Sequence, residues 1–136
     1  MSEESIEVRQ IDYSETAPFR SLSAKAGAPL TQVKDCLWFG VFVDGVLAGV
    51  TCAAWIGNKE SRHGRPRATY VDEKYRMRGL YRKLLDFSLT YYNMNGVKVV
   101  SAYIEPVLWR YWLRRGFKRL KTIANGALHI QKVYHG

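Results

Sequence analysis

At 136 residues the chain can bury one sizeable core but is too short for two domains of ordinary size, so a single domain over residues 1–136 is expected. Hydrophobic residues make up 47% and charged residues 24%, with only four prolines, a balance that excludes a disordered chain. The net charge of +9 is uneven, because residues 1–58 hold four basic and seven acidic side chains while residues 59–136 hold seventeen and five.

The chain starts with Met1-Ser2-Glu3-Glu4, acidic where a secretory signal is basic and then apolar, and nowhere do eighteen apolar residues run together. A cytoplasmic protein without a membrane partner is therefore expected. Ser5 to Asp12 alternates Ile6, Val8 and Ile11 with polar residues and predicts a first strand. A short helical region follows between Ser14 and Lys25, and Ala26 to Asp35, with Gly27, Pro29 and Thr31, reads as loop. From Cys36 to Ile56 the apolar runs Leu37–Val43 and Val46–Trp55 flank Asp44-Gly45, a dipeptide suited to a tight hairpin. Cys36 and Cys52 show no metal-ligand spacing and are expected to be reduced and buried.

Asn58 to Pro66 reads as a polar, basic loop containing His63, and Arg67 to Val71 as the next strand. Leu80, Leu84, Phe87, Tyr91 and Met94 recur at helical spacing, which predicts a helix over 80–94 stopped by Gly96. Val97 to Ile104 is rich in β-branched residues, Val107 to Arg115 reads as a short helix ended by Gly116, and Phe117–Thr122 and Leu128–Tyr134 read as closing strands. His129 and His135 fall in the last strand and the tail, where packing and exposure account for them.

The junction from Val71 to Leu85 takes a strand directly into a helix start. First-turn amides lack intrahelical partners and carry partial positive charge, and Gly79 would let a pyrophosphate approach the main chain. Lys74, Arg76, Arg78, Arg82 and Lys83 add charge around that point. An anion site is one reading; a merely cationic helix start is the other.

Arg76-Met77-Arg78-Gly79-Leu80-Tyr81, beginning five residues after Val71, resembles the Arg/Gln-x-x-Gly-x-Gly/Ala signature of the GNAT acetyltransferase superfamily. The likeness extends to Trp112-Leu113-Arg114-Arg115-Gly116-Phe117, similar to that family's helix ending in Gly-Phe. The resemblance implies an α/β (α+β) fold, a mixed and mostly antiparallel sheet splayed between its fourth and fifth strands and flanked by helices. It further implies acetyl-CoA as co-substrate. Backbone groups near Tyr70 and Val71 would meet the pantetheine arm, and the turn from Arg76 through Met77, Arg78, Gly79 and Leu80 to Tyr81, with Arg82, would hold the pyrophosphate.

The chain departs from the family pattern at three places. Tyr81 stands where glycine or alanine is usual, and a ring turned outwards would leave the helix start open to phosphate. Trp112 replaces the tyrosine that protonates the leaving thiolate in many members, which makes its neighbour Tyr111 the candidate acid. Arg65 stands near the place of a glutamate base, and Glu105, where asparagine is frequent, is the candidate base. Glu105 also has a structural reading, as a helix cap or solvated acid before Pro106.

The function implied is acyl transfer, expected to be of acetyl, to a primary amine on a small molecule, peptide or protein, by direct attack in a ternary complex with no covalent enzyme. The alternative is a nucleic-acid-directed protein on the same fold, for which Trp109, Tyr111 and Trp112 among Arg110, Arg114 and Arg115 would supply stacking and charge. Aromatic residues at that helical spacing also suit a core. The short segment before the hairpin implies an open acceptor site, and pairing of two subunits into a homodimer is common in the family.

Overall fold

A computed structural model of the chain describes residues 4–56 and 63–134. Seven strands form one sheet in the order β1-β2-β3-β4-β5-β7-β6, with β1 Ile6–Ile11, β2 Cys36–Val43, β3 Val46–Ile56, β4 His63–Val71, β5 Val99–Ile104, β6 Lys118–Thr122 and β7 Leu128–Val133. Three α-helices among the described residues accompany it, α1 Ala17–Lys25, α2 Leu80–Met94 and α3 Trp109–Arg114. The β2–β3 hairpin turns at Asp44 (φ 49°) and Gly45 (φ 80°), the two positive angles that a tight two-residue turn requires.

Every strand pairing is antiparallel except β4 with β5, which is parallel and confined to His63↔Val99 and Gly64↔Val100. Beyond Gly64 the two strands diverge, so the sheet splays over the rest of β4. Tyr92 of α2 anchors the closed end of this splay. Its hydroxyl donates to the Ala54 carbonyl at 2.8 Å, and its ring lies where a Cβ on residue 64 would come within 2.8 Å. Only glycine lets the strand pass so close to the ring.

Helix α2 buries Leu84, Leu85, Leu89 and Tyr92 against the sheet residues Phe39, Ala53 and Val100 or against Val41 and Val43. Each such large apolar side chain contributes about 1.5–3 kcal/mol by leaving water. A second cluster, Phe19, Leu30, Trp38, Cys52 and Tyr70, holds α1 and the following coil on the sheet, and the Tyr13 hydroxyl ties that coil down by donating to the Leu30 carbonyl at 2.8 Å.

Four expectations are corrected. The polar segment predicted as loop up to Pro66 becomes strand from His63, because Ile56↔His63 and Trp55↔Gly64 extend the ladder with β3 and β5 closes its other side; residues 58–62 of that segment lie outside the described residues. His63 is accordingly a strand residue bonded through Nε2 to Ser101 Oγ at 2.8 Å. The helix predicted over 107–115 is a 3-10 turn, Pro106–Leu108, leading into α3, since Pro106 starts the turn and has no amide to give. Cys52 is buried as expected, but Cys36 is only half-buried, its thiol donating to the Val33 carbonyl at 3.1 Å. His135 lies outside the described residues.

Candidate active site

The divergence of β4 from β5 leaves a cavity of about 560 Å³ whose wall includes Arg65, Arg67 and Thr69 of β4, Ala102–Ile104 of β5 and the following Glu105, Trp38 of β2, Tyr81 and Leu85 of α2, and Leu108 and Trp112. Its size and mixed wall suit an organic substrate. Ala28, Pro29 and Thr31 of the coil after α1 contribute to the lining as well.

At the far end of β4 the chain turns sharply before α2. Asp72 accepts from the Lys74 amide at 3.3 Å, a 3-10 turn spans Glu73–Tyr75, and Arg76 Nε donates back to the Val71 carbonyl at 3.0 Å with its guanidinium 5.5 Å from the Tyr70 ring centroid. Met77 is fully exposed at φ 67°, a conformation uncommon for a non-glycine residue. Gly79 caps α2 at φ 76°, with no atom within 4 Å of the position a Cβ would take. Open space therefore adjoins the left-handed glycine at the start of α2, where the first-turn amides lack intrahelical partners, a combination that fits a pyrophosphate. Leu80 is buried in the core beneath them.

The cations expected around this turn are placed differently from one another. Arg78 pairs with Glu4 at 2.7 Å and lies 5.4 Å from the Tyr75 ring, whereas Arg82 is exposed on the first turn of α2. Tyr70 and Val71 are both buried at the end of β4, and the Val71 carbonyl is already occupied by Arg76.

Tyr81 turns into the cavity and not outwards. Burial, and then the nearby charge of Glu105, raise its phenol to about 12, so it stays protonated at neutral pH. Glu105 is exposed at the cavity wall. It precedes Pro106 but its carboxylate makes no capping hydrogen bond, which removes the capping reading and leaves a solvent-exposed acid on the cavity wall.

Tyr111 is placed elsewhere. Its hydroxyl donates to Asp86 Oδ1 at 2.8 Å, Arg115 grips the same carboxylate through Nε at 2.7 Å and Nη2 at 3.0 Å, and the Arg115 guanidinium lies 3.7 Å from the Tyr111 ring centroid. Burial and then the Asp86 bond push this phenol well above its ordinary value, and Tyr111 is not among the described residues that line the cavity. The one-position shift from Trp112 thus carries Tyr111 round the helix by about 100°, onto the α2 side.

Trp112 is buried against Phe117, ring centroids 4.8 Å apart, while Trp109 and Tyr111 are half-buried and packed against the same core. The indole N–H groups of Trp38 and Trp112, both in residues of the cavity wall, are buried without a hydrogen-bond partner among the described residues. Sequence reasoning missed Trp38, Arg67 and Tyr103 as wall residues, for which no local motif exists; only the sheet order brings them together.

A parallel pair that splays open, a cavity in the gap and a glycine-capped helix start at its end define a coenzyme-dependent acyltransferase architecture. The chain belongs to the acetyltransferase (GNAT) family, whose model matches residues 5–117. Among solved structures it resembles the PaiA N-acetyltransferase of Thermoplasma acidophilum in complex with coenzyme A, at 16% identity over 96% of this chain and 99% of that one, with a TM-score of 0.71. It also resembles the ribosomal-protein-S18-alanine N-acetyltransferase of Escherichia coli, at 14% identity over 93% and 92% with a TM-score of 0.76, and a GNAT-family acetyltransferase of Streptococcus pneumoniae, at 12% over 96% and 100% with a TM-score of 0.76. No curated protein matches the chain by sequence. No helix among the described residues is long and apolar enough to cross a membrane.

Proposed function

We propose that the chain is an acetyl-CoA-dependent N-acetyltransferase that joins the acetyl group to a primary amine by direct attack in the splay between β4 and β5. The observation that carries this is the continuity of the cavity wall from β4 and β5 to Tyr81, on the first turn of the glycine-capped helix. The amides that follow Gly79 would hold the coenzyme's pyrophosphate, with Arg76, Met77, Arg78 and Arg82 shaping and charging the turn. The coenzyme-bound complex of a structural neighbour and the family membership support this reading.

We assign Glu105 as base and Tyr81 as acid. Glu105 takes the proton that the amine nitrogen loses as the C–N bond forms, directly or through a water. Tyr81 gives its proton to the sulfur as the C–S bond breaks, and the proton held by Glu105 returns to the Tyr81 oxygen, so the site ends as it began. Once Glu105 is neutral its charge no longer opposes ionisation of Tyr81, which times the acid step after the base step. Tyr111 has a packing role and takes no part in proton transfer. Much of the rate would come from holding both substrates in one cleft.

The free thiols of Cys36 and Cys52 suit a cytoplasmic setting. The test is incubation with acetyl-CoA and a panel of peptide N-termini, free lysine and small amines, reading thiol release and the mass of the amide. Amide formation matched by thiol release is expected; thiol release without any acetylated product, or no reaction with the whole panel, contradicts the assignment.

A further inference from the structure

We propose, resting on that transferase reading, that the acceptor is an amine carrying an anionic group, and that Arg65 and Arg67 bind the anion. Both arginines are on the cavity wall, and neither guanidinium has an ion-pair or hydrogen-bond partner among the described residues. Glu105 is the cavity's one carboxylate among the described residues. Positive charge is thus gathered on the β4 side and negative charge at the end of β5, the pattern that orients a molecule with an amine at one end and an acid at the other.

The local structure presents the two guanidiniums. Between Thr51↔Thr69 and Ala53↔Pro66 the ladder advances two residues on β3 and three on β4, so the extra residue falls at Arg67–Ala68. Such a bulge breaks the regular alternation and re-aims side chains. Arg65 is steadied by Tyr103, its guanidinium 4.7 Å from the ring centroid, while that ring stacks on His129 at 4.7 Å. A planar guanidinium laid on an aromatic ring keeps its N–H edge for a carboxylate or phosphate. The His63 imidazole, lowered first by burial and next by Arg65, registers the same positive field at the closed end of the splay.

The arginines do not belong to the phosphate turn. Arg65 lies six steps before Val71 along β4, roughly 20 Å at the rise of a strand, and Arg67 four steps, roughly 13 Å. The pyrophosphate cradle lies beyond Val71, so the two guanidiniums serve the other substrate.

The test titrates matched amines into the protein saturated with coenzyme A: β-alanine against β-alaninamide, and 2-aminoethyl phosphate against ethanolamine. At least one anionic member is expected to bind on the order of tenfold tighter than its neutral match, equivalent to roughly 1.4 kcal/mol. Whichever pair shows the difference distinguishes carboxylate from phosphate. The preference should fall to parity in Arg65→Gln and in Arg67→Gln, partly survive in Arg67→Lys, and persist in Lys121→Gln, which removes a cation from the exposed strand β6. Circular dichroism establishes that each variant is folded. Parity in the wild type, no binding of either anionic amine, or a preference that survives both glutamine variants overturns the inference while leaving the transferase reading intact. Failure of the wild type to bind coenzyme A at all strikes the transferase reading itself, and this inference with it.

Discussion

The Tyr111 hydroxyl and the Asp86 carboxylate form a 2.8 Å hydrogen bond that ties α3 to α2, with Arg115 completing the cluster. Tyr111→Phe is therefore expected to leave turnover within about twofold of wild type and to cost about 1 kcal/mol of stability, the net worth of one hydrogen bond. Thermal unfolding and a steady-state assay on the same preparation check both halves.

Tyr81→Phe should do the reverse. The ring is kept, so acetyl-CoA affinity and stability stay near wild type, while loss of the proton donor lowers kcat by about 10²-fold, the usual scale of general acid catalysis. Equal kcat values for Tyr81→Phe and wild type would remove Tyr81 from the chemistry.

Gly64→Ala tests the closed end of the splay. A Cβ there meets the Tyr92 ring at 2.8 Å, so the ring or the strand must shift, at a cost of about 1–3 kcal/mol as in other overpacked cores. Chemical denaturation of the variant, with Tyr92→Phe for comparison, measures it. An unchanged midpoint would show that the ring is not packed as described.

Stability should fall as the solution is acidified. The His63 imidazole titrates below its ordinary 6.5, from burial first and then the positive charge of Arg65 and His129. The unfolded chain therefore takes up this proton at higher pH than the folded one, so His63 contributes stability above about 6.5 that is lost as pH drops through its folded value. Asp86, held below the ordinary 3.8 chiefly by its Arg115 hydrogen bond, adds a second loss below that pH, reduced by solvent because the carboxylate is half exposed. Melting curves between pH 8 and 5 should show the first loss in wild type and a flatter profile in His63→Gln.

Strong local signals were readable without a fold. The apolar spacing from Leu80 to Met94 marks a helix whose bounds match α2, and Asp44-Gly45 marks the hairpin, because helical periodicity and turn chemistry are written in neighbouring residues. The first half of β4 was not readable. His63-Gly64-Arg65-Pro66 has the composition of a loop and becomes strand only through pairing with β3 and β5. The glycine at 79 could be placed from the motif, but the inward turn of Tyr81 and the outward placement of Tyr111 depend on which helix faces meet across the splay. Arg67 and Trp38 reach the cavity through sheet order and a bulge, to which no local pattern corresponds.

The central claim is that the glycine-capped start of α2 holds the coenzyme's phosphates, and calorimetric titration with acetyl-CoA tests it most directly. Wild type should bind with one-to-one stoichiometry, and Gly79→Glu should abolish binding, since the new side chain is strained at a positive φ and sets a like charge in the cradle. A folded wild type that does not bind acetyl-CoA, or a Gly79→Glu variant that binds as well as wild type, would contradict the account.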